Sequence, residues 1–286
     1  MSAPSPQSPV PSSETVAFIG GGNMARSLIG GLVARGTAAV TIRVAEPVDS
    51  LREALQRDFG VRTFATAAEA ADGAGLWLLA VKPQVMRTVC AELAALARAR
   101  QPLAISIAAG ITAQQLARWL GGDDARIAVV RAMPNTPALL GAGITGLFAN
   151  THADPAQREQ AASLLSAVGP TVWIEHETQM DAVTAVSGSG PAYLFLLAEA
   201  MQAAGVAQGL PAETARALAT QTLFGAGRML VESSEPAEVL RARVTSPGGT
   251  TQAAIETFEA GGLRELVDRA ITAATERGRQ LSMAND

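Results

Sequence analysis

Short apolar runs alternate with amphipathic, alanine-rich stretches along the first part of the chain. The runs are rich in strand-forming residues, whereas the stretches between them repeat apolar positions at helical spacing. Strand-like runs lie at 15–19, 40–45, 76–81, 103–107 and 127–131, and helical patterns lie at 48–58, 84–98 and 112–120. Another helical pattern follows the glycines after the first run, with Leu28, Leu32 and Val33 at helical spacing, and ends near Gly36. This alternation predicts parallel strands with crossover helices on both faces of one sheet. A further strand, helix and strand, at 142–149, 154–167 and 170–174, closes the predicted domain.

The pattern changes near residue 177, after which no strand-like run follows. Helical patterns lie at 191–206, 211–231, 252–258 and 262–282. The first of these is apolar almost all round, so we expect a helix that is buried on most of its faces. The sequence therefore predicts an α/β domain at 14–176 and an all-helical domain at 177–286, which completes its core by dimerising.

Two segments could be mistaken for targeting or membrane signals. Residues 1–13 hold four Pro and five Ser with no charge and no apolar run, which predicts a disordered tail and not a signal peptide. The charge-free stretch 132–153 is long enough to span a bilayer, but Pro134, Asn135 and Pro137 interrupt it. We therefore expect no membrane partner.

Composition excludes several kinds of chemistry. A net charge of −4 argues against a nucleic-acid partner, which usually requires a basic face. Cys90, His152 and His176 are the whole supply of Cys and His, so we expect no metal site. The single Cys also excludes an intrachain disulfide and fits a reducing compartment, so we expect a cytoplasmic enzyme.

Lysine and tyrosine are equally scarce. Lys82 is the single Lys among 22 basic residues, and the single Tyr, Tyr193, is followed four residues later by Leu197. Dehydrogenases that use a Tyr with a Lys at that spacing are therefore excluded. Any mechanism that requires an amine must use Lys82.

A glycine turn follows the first strand and opens the first helix. Gly20, Gly22 and Ala25 match the dinucleotide fingerprint G-x-G-x-x-G/A in the context of strand, turn, helix and strand. The first Gly permits the tight turn, the second lets the backbone approach a pyrophosphate, and Ala25 allows close helix packing. The predicted fold is a doubly wound sheet of the Rossmann type that binds NADPH or NADH through residues Gly20, Gly21, Gly22, Asn23, Met24 and Ala25.

Glu46 ends the second strand, where an acidic residue binds the ribose hydroxyls of NADH and repels a 2′-phosphate. Arg43 and Arg52 are close enough in sequence to offer such a phosphate a partner instead. A solvated Glu46, or one that caps the helix after Pro47, is the simpler alternative. The choice between NADPH and NADH stays open.

Two further segments follow strands and lie at the carboxyl edge of the predicted sheet, where ligands bind in open α/β folds. They consist of Ala80, Val81, Lys82 and Pro83, and of Ile107, Ala108 and Ala109. Lys82 is either a cofactor contact or a solvated loop residue. The position of these segments alone does not distinguish the two.

The helical half contains two glycine-rich segments. Ser187 to Pro191 opens the apolar helix, and a helix start that needs little volume explains much of it. The second segment, Thr245 to Thr251, brings bare backbone amides, hydroxyls and a helix N-terminus together. It predicts a carboxylate-binding site, and hence a small acid as ligand, with an ordinary Ser/Thr cap as the alternative.

Taken in order, the motifs resemble the pyrroline-5-carboxylate reductase family, and the resemblance extends from residue 15 to the C-terminus. The motifs are Phe18-Ile-Gly-Gly-Gly-Asn-Met, Ala80-Val-Lys-Pro, Ser106-Ile-Ala-Ala-Gly, Arg131-Ala-Met-Pro-Asn-Thr-Pro, Asp181-Ala-Val-Thr-Ala-Val-Ser-Gly-Ser-Gly-Pro-Ala-Tyr and Ser246-Pro-Gly-Gly-Thr-Thr. The last two are the specific ones, since many dehydrogenases share the glycine turn.

The resemblance implies reduction of pyrroline-5-carboxylate to L-proline by NADPH or NADH, the last step of proline biosynthesis. It implies that the cofactor binds the glycine turn and the segments Ala80 to Pro83 and Ile107 to Ala109, so we expect Lys82 to lie beside the cofactor. It also implies that the substrate binds between the nicotinamide and the loop Ser246 to Thr251, with Glu177 nearby. It also implies dimers that commonly assemble into decamers. Two departures are Glu46, where many members carry a Ser, Thr or Arg suited to a 2′-phosphate, and Arg243, which is Asn in some members.

Reduction of a protonated imine requires little acid–base chemistry, which fits a chain poor in His, Cys, Tyr and Lys. We predict that the backbone amides of Gly249, Thr250 and Thr251, with the Ser246 hydroxyl, hold the substrate carboxylate. The catalytic residue is then Thr251, whose hydroxyl is predicted to hydrogen-bond the ring nitrogen. Two alternatives remain, a reductase of another small imine or keto acid and a non-catalytic nucleotide sensor. A related hydroxyacid dehydrogenase would require a catalytic Lys in the linking helix, and that helix has none.

Overall fold

A computed structural model describes residues 15–123 and 126–284 of the chain. The predicted tail at 1–13 lies outside the described residues. The chain forms two compact units. The first unit takes in the described residues up to Gly188 together with those from Ala274 onward, and the second unit is Ser189–Ala273. The domain boundary between 176 and 177 stays a prediction.

The first unit contains an eight-stranded sheet, ordered β3-β2-β1-β4-β5-β6-β7-β8. The strands are β1 (Val16–Ile19), β2 (Ile42–Ala45), β3 (Arg62–Phe64), β4 (Leu76–Leu79), β5 (Leu103–Ser106), β6 (Ala128–Met133), β7 (Thr145–Ala149) and β8 (Thr171–Trp173). All pairs are parallel except β6 with β7. β7 runs the other way because no crossover helix joins it to β6, only a segment with a short 3₁₀ turn at Thr136–Leu140.

Helices cover both faces of this sheet. They are α1 (Asn23–Ala34), α2 (Asp49–Phe59), α3 (Ala67–Ala71), α4 (Pro83–Arg100), α5 (Ala113–Gly121), α6 (Pro155–Leu165) and α7 (Met180–Val183). Successive residues of β1 alternate between two apolar clusters, with Phe18 in one cluster and Ala17 and Ile19 in the other. The predicted doubly wound sheet is confirmed.

The sequence pattern missed β3 and α3. β3 has only three residues, and its first, Arg62, is exposed, so no apolar run marks it. α3 is a single short helix of five residues that packs Ala67, Ala70 and Ala71 into the core. Both elements are too short to give a periodic signal.

Gly169 precedes β8 and has a backbone conformation that L side chains rarely adopt, with φ at +143°. A Cβ at this position would lie 1.9 Å from the carbonyl oxygen of Gly143. The neighbouring backbone is tied together, since the Gly143 N–H donates to the Val168 carbonyl at 2.9 Å. The loops that precede β7 and β8 are therefore in contact at Gly169, where only a glycine fits.

The second unit is helical. Its helices are α8 (Gly190–Ala207), α9 (Ala212–Glu232), α10 (Ala237–Arg243), α11 (Thr250–Ala260) and the first part of α12 (Leu263–Ala284). A Cβ at Gly205 of α8 would lie 3.2 Å from the Cβ of Ala215 in α9, so small residues let these two helices pack closely. In the part of the chain that the structure describes, no helix is both long and apolar enough to cross a membrane.

The expectation that α8 is buried on most faces is wrong for the single chain. Phe195 is 64% exposed and Leu196 66%, and no residue of this helix is buried. An apolar helix on the surface of one chain requires another surface to cover it. The prediction fails because the sequence pattern shows that the helix is apolar but does not show whether its own chain or another chain buries it.

Candidate active site

The glycine turn lies where three strand ends meet. The Gly20 N–H donates to the Ala45 carbonyl at 2.9 Å, and the Ala80 N–H donates to the Ile19 carbonyl at 2.8 Å. Gly20 has φ at +107°, and a Cβ there would lie 2.8 Å from the Ala80 carbonyl oxygen. Only glycine fits this turn, as the fingerprint requires.

The N-terminus of α1 is open to a ligand. Gly22 is its N-cap, no side chain caps this end, and its first turn has no acidic residue. A Cβ at Gly22 would meet nothing within 4 Å, whereas Ala25 is buried against the core. Asn23 and Met24, which begin the helix, therefore present backbone amides without a side-chain cap. This arrangement fits the pyrophosphate of a dinucleotide.

The other two predicted cofactor segments lie at the same edge. β1, β4 and β5 are neighbours in the sheet, and Ala80 and Ile107 follow the ends of β4 and β5 directly. The Ile107 N–H donates to the Leu79 carbonyl at 3.2 Å, and the Ala108 N–H to the Ser106 hydroxyl at 3.3 Å. The strand order reverses between β1 and β4, where open α/β sheets bind their ligands.

Lys82 is exposed at the N-cap of α4, where Val81 precedes it and Pro83 is the first helical residue. Its ammonium group has no hydrogen bond or ion pair with any described residue. A free amine at the ligand-binding edge is compatible with a cofactor contact and with a solvated loop residue alike. Its role as a cofactor contact, like that of Ala109 nearby, stays a prediction.

Glu46 is buried, and its carboxylate is hydrogen-bonded. Only 8% of it is exposed, and its Oε2 accepts a hydrogen bond from the Gly21 N–H at 3.2 Å. Its Oε1 accepts from the Val48 N–H at 3.1 Å, just before α2 begins. The carboxylate thus touches the glycine turn itself, which the sequence position alone could not show.

Glu177 forms an ion pair with the buried Arg131 in the first unit. Its Oε1 accepts from Arg131 at 2.9 Å and from the Ala113 N–H, at the start of α5, at 2.6 Å. The Arg131 side chain is only 5% exposed. Burial raises the pKa of the neighbouring Asp181, and the charge of Glu177 acts in the same direction while Arg131 opposes it. These contacts explain Glu177 structurally, and its contact with substrate stays a prediction.

Replacing Glu177 with Ala leaves the buried Arg131 guanidinium without its carboxylate, so we expect the free energy of unfolding to fall by about 2 kcal/mol. Urea unfolding of the purified variant measures this. Glu175→Ala, which removes an exposed carboxylate two residues away, is the matched control and should leave stability unchanged. Equal stability of the two variants would contradict the structural role of the pair.

The predicted carboxylate site lies in the second unit, at the N-terminus of α11. Gly249 is the N-cap, with no side-chain cap and no acidic residue in the first turn. The Gly249 N–H already donates to the Ser246 carbonyl at 3.0 Å, because the loop closes as a turn. The Gly249 N–H is therefore already used, and the backbone N–H groups predicted to bind a carboxylate are reduced to those of Thr250 and Thr251. Ser246 is exposed beside them.

Gln252 is a residue that the sequence pattern did not single out. Its Oε1 accepts from the Gly248 N–H at 2.6 Å, and its Nε2 donates to Glu256 at 2.7 Å. Gly248 has φ at +69°, so the side chain fixes the loop at its one left-handed residue. The sequence signal for this contact would have been a Gln in the first turn of a helix, four residues after a Gly. Arg243 forms an ion pair with Glu235 and so has a local partner.

The single thiol of the chain is buried and unreactive. Cys90 is buried, and burial raises the pKa of its thiol to about 12. A thiol with this pKa stays protonated at neutral pH and does not attack a carbonyl or imine. Among residues 15–123 and 126–284, no cluster of three His, Cys, Asp or Glu could hold a metal ion.

Comparison with known proteins decides the family. A model described as pyrroline-5-carboxylate reductase dimerisation matches residues 177–281, and one described as coenzyme F420-dependent NADP oxidoreductase matches 15–135. A pyrroline-5-carboxylate reductase from Pseudomonas aeruginosa is 51% identical over 95% of this chain and 98% of its own. The chain belongs to the pyrroline-5-carboxylate reductase family. The relative from Vibrio alginolyticus is 43% identical over 93% of this chain and 97% of its own.

Solved structures of the family have the same fold. A pyrroline-5-carboxylate reductase from Coxiella burnetii has a TM-score of 0.91 at 42% identity, covering 94% of this chain and 99% of its own. The Plasmodium falciparum pyrroline carboxylate reductase with NADP bound has a TM-score of 0.81 at 26% identity, covering 95% and 99%. In this chain, the uncapped N-termini of α1 and α11 stay the predicted places for a dinucleotide and for a carboxylate.

Proposed function

We propose that the protein reduces 1-pyrroline-5-carboxylate to L-proline with NADPH or NADH, the last step of proline biosynthesis. The observation that carries the proposal is the 51% identity with a reductase of that name over 95% of the chain. Two uncapped helix N-termini, one in each unit, support it because the reaction brings together two anionic ligands.

The reduced nicotinamide, when bound, supplies a hydride to the C=N carbon of the protonated imine, whose nitrogen becomes the secondary amine of proline. The chain's contribution is to hold and orient its ligands. Gly20, Gly22 and the first amides of α1 hold the pyrophosphate, with the segments at Ala80 and Ile107 beside them.

In the second unit, the Thr250 and Thr251 amides and the Ser246 hydroxyl hold the substrate carboxylate. The Thr251 hydroxyl accepts a hydrogen bond from the protonated ring nitrogen, which fixes the face of the imine that is reduced. Gly249 gives the loop its turn, and Gln252 holds Gly248 in place. No side chain is required to transfer a proton in the hydride step.

Assembly and location complete the proposal. The match to a dimerisation model and the exposed apolar surface of α8 support a homodimer. We propose further assembly to a decamer, as the family resemblance implies. The single thiol, buried and unreactive, supports the cytoplasm as the compartment.

The decisive assay follows oxidation of the reduced cofactor with pyrroline-5-carboxylate and, separately, with a small keto acid. We expect turnover with the imine alone. Oxidation only with the keto acid would favour the reductase of another substrate. Cofactor binding without oxidation would favour the nucleotide sensor.

A further inference from the structure

Glu46 and the glycine turn are in direct contact. Besides the hydrogen bond from Gly21, a Cβ at Gly21 would lie 3.2 Å from Glu46 Oε2 and 2.7 Å from Leu55. The carboxylate therefore stands at the end of β2 against the backbone of the turn that fits a dinucleotide. In a Rossmann-type sheet this is the place of the adenosine ribose.

The Glu46 carboxylate is held in place by backbone donors and keeps further hydrogen-bond acceptor capacity. Backbone N–H groups of Gly21 and Val48 each bind one of its oxygens, and the Arg52 guanidinium donates to the Glu46 carbonyl at 2.7 Å. Each carboxylate oxygen can accept a second hydrogen bond. A ribose hydroxyl is a donor that such an oxygen can bind, whereas a phosphate brings further negative charge.

The nearby cations are already engaged. Arg43 donates to the carbonyls of Ala70 at 2.7 Å and Glu69 at 2.5 Å, and its guanidinium lies 4.3 Å from the centre of the Phe64 ring. Arg52 pairs with Asp49 in addition to its bond to Glu46. A 2′-phosphate beside Glu46 would therefore face a carboxylate, while Arg43 and Arg52 are already bonded to other groups.

Arg62 does not fill this role either. It pairs in register with Arg43 on the neighbouring strand, at the opposite end of β3 from the edge that carries Glu46. Its guanidinium lies 5.7 Å from the centre of the same Phe64 ring. The described cations of β2 and β3 thus lie along the strands and not at the ribose position.

We infer that Glu46 makes this reductase select NADH over NADPH, by accepting a hydrogen bond from the 2′-hydroxyl of the adenosine ribose and repelling a 2′-phosphate. The inference rests on the proposed function, because it names the cofactor of that reaction. Two like charges a few ångströms apart in a partly buried site disfavour binding by about tenfold or more.

The test measures dissociation constants of NADH and NADPH by the fluorescence of the reduced nicotinamide, with the purified full chain and no substrate. We expect the unaltered protein to bind NADH at least about tenfold more tightly than NADPH. Glu46→Gln removes the charge and keeps an acceptor, so NADPH binding should tighten by about tenfold while NADH binding changes little. Glu46→Ser should tighten NADPH and also weaken NADH.

Glu53→Gln is the control, because it removes an exposed carboxylate from α2 and makes the same change in net charge. It should leave the ratio of the two dissociation constants unaltered. Tighter binding of NADPH by the unaltered protein overturns the inference, as does an unchanged ratio in Glu46→Gln. Because the unaltered protein is itself measured, the inference is testable even if a variant does not fold.

Measurements of cofactor binding and of turnover test the inference about Glu46 and the proposed function separately. NADH-selective binding without reduction of pyrroline-5-carboxylate would uphold the role of Glu46 and defeat the proposed function. Reduction of pyrroline-5-carboxylate by a protein that binds NADPH more tightly would do the reverse. The steady-state preference, measured as kcat/KM for each cofactor, should follow the ratio of dissociation constants.

Discussion

Replacing Thr251 with Ala should lower kcat/KM for pyrroline-5-carboxylate by on the order of 10–100-fold. Thr251 is half-buried in the first turn of α11, so its hydroxyl is directed by the helix and not by a flexible loop. The variant keeps the backbone amide and loses only the proposed hydrogen bond to the ring nitrogen. Because this bond is proposed to orient the imine, its loss should reduce kcat as well as raise KM.

Steady-state kinetics with pyrroline-5-carboxylate measure the effect, and two further variants serve as controls. Thr250→Ala removes the exposed neighbouring hydroxyl while keeping its amide, and should have little effect. Thr251→Ser restores a hydroxyl and should recover most of the activity. The dissociation constant for the cofactor alone should stay the same in all three. Unchanged kinetics in Thr251→Ala would remove this residue from the mechanism.

Replacing Gly169 with Ala should destabilise the first unit by about 3 kcal/mol or more. The positive φ accounts for part of this, and the contact with Gly143 for the rest, because a backbone carbonyl cannot turn aside as a flexible side chain can. In a unit of this size the loss corresponds to a fall in Tm of about 6–12 °C. Thermal unfolding followed by circular dichroism measures it.

Gly73 provides the comparison for Gly169. It also has a positive φ, at +80°, but a Cβ there would meet nothing within 4 Å. Gly73→Ala should therefore cost only the conformational strain, about 1–2 kcal/mol. If the two variants melt at the same temperature, the contact between the loops before β7 and β8 does not constrain the fold.

Local signals in the sequence were sufficient for most of the sheet and for the glycine turn. An apolar run such as that of β4 identifies a buried strand by itself, and the fingerprint adds its geometry. The reversed direction of β7 is not a local property, because it depends on how the chain returns to the sheet. The three residues of β3 are too few to show a period.

In the candidate site, too, the positions of residues could be predicted from the sequence, but their contacts could not. Glu46 could be placed at the end of β2 from its position, but its contact with Gly21 depends on a strand and a turn brought together from 25 residues apart. The pair of Arg131 with Glu177 joins residues 46 positions apart. No spacing rule connects such residues, so only the folded chain shows that these carboxylates are already bound.

The exposed surface of α8 has a consequence for how the protein persists in a cell. A lone chain leaves side chains such as Phe195 and Leu196 in water, and the proposed association with a second copy would remove that unfavourable hydration. In such a dimer, part of the stability of each helical unit would be shared between two chains and would vary with their concentration by mass action. A newly made chain is at its most vulnerable to proteolysis and aggregation in the interval before it meets its first partner.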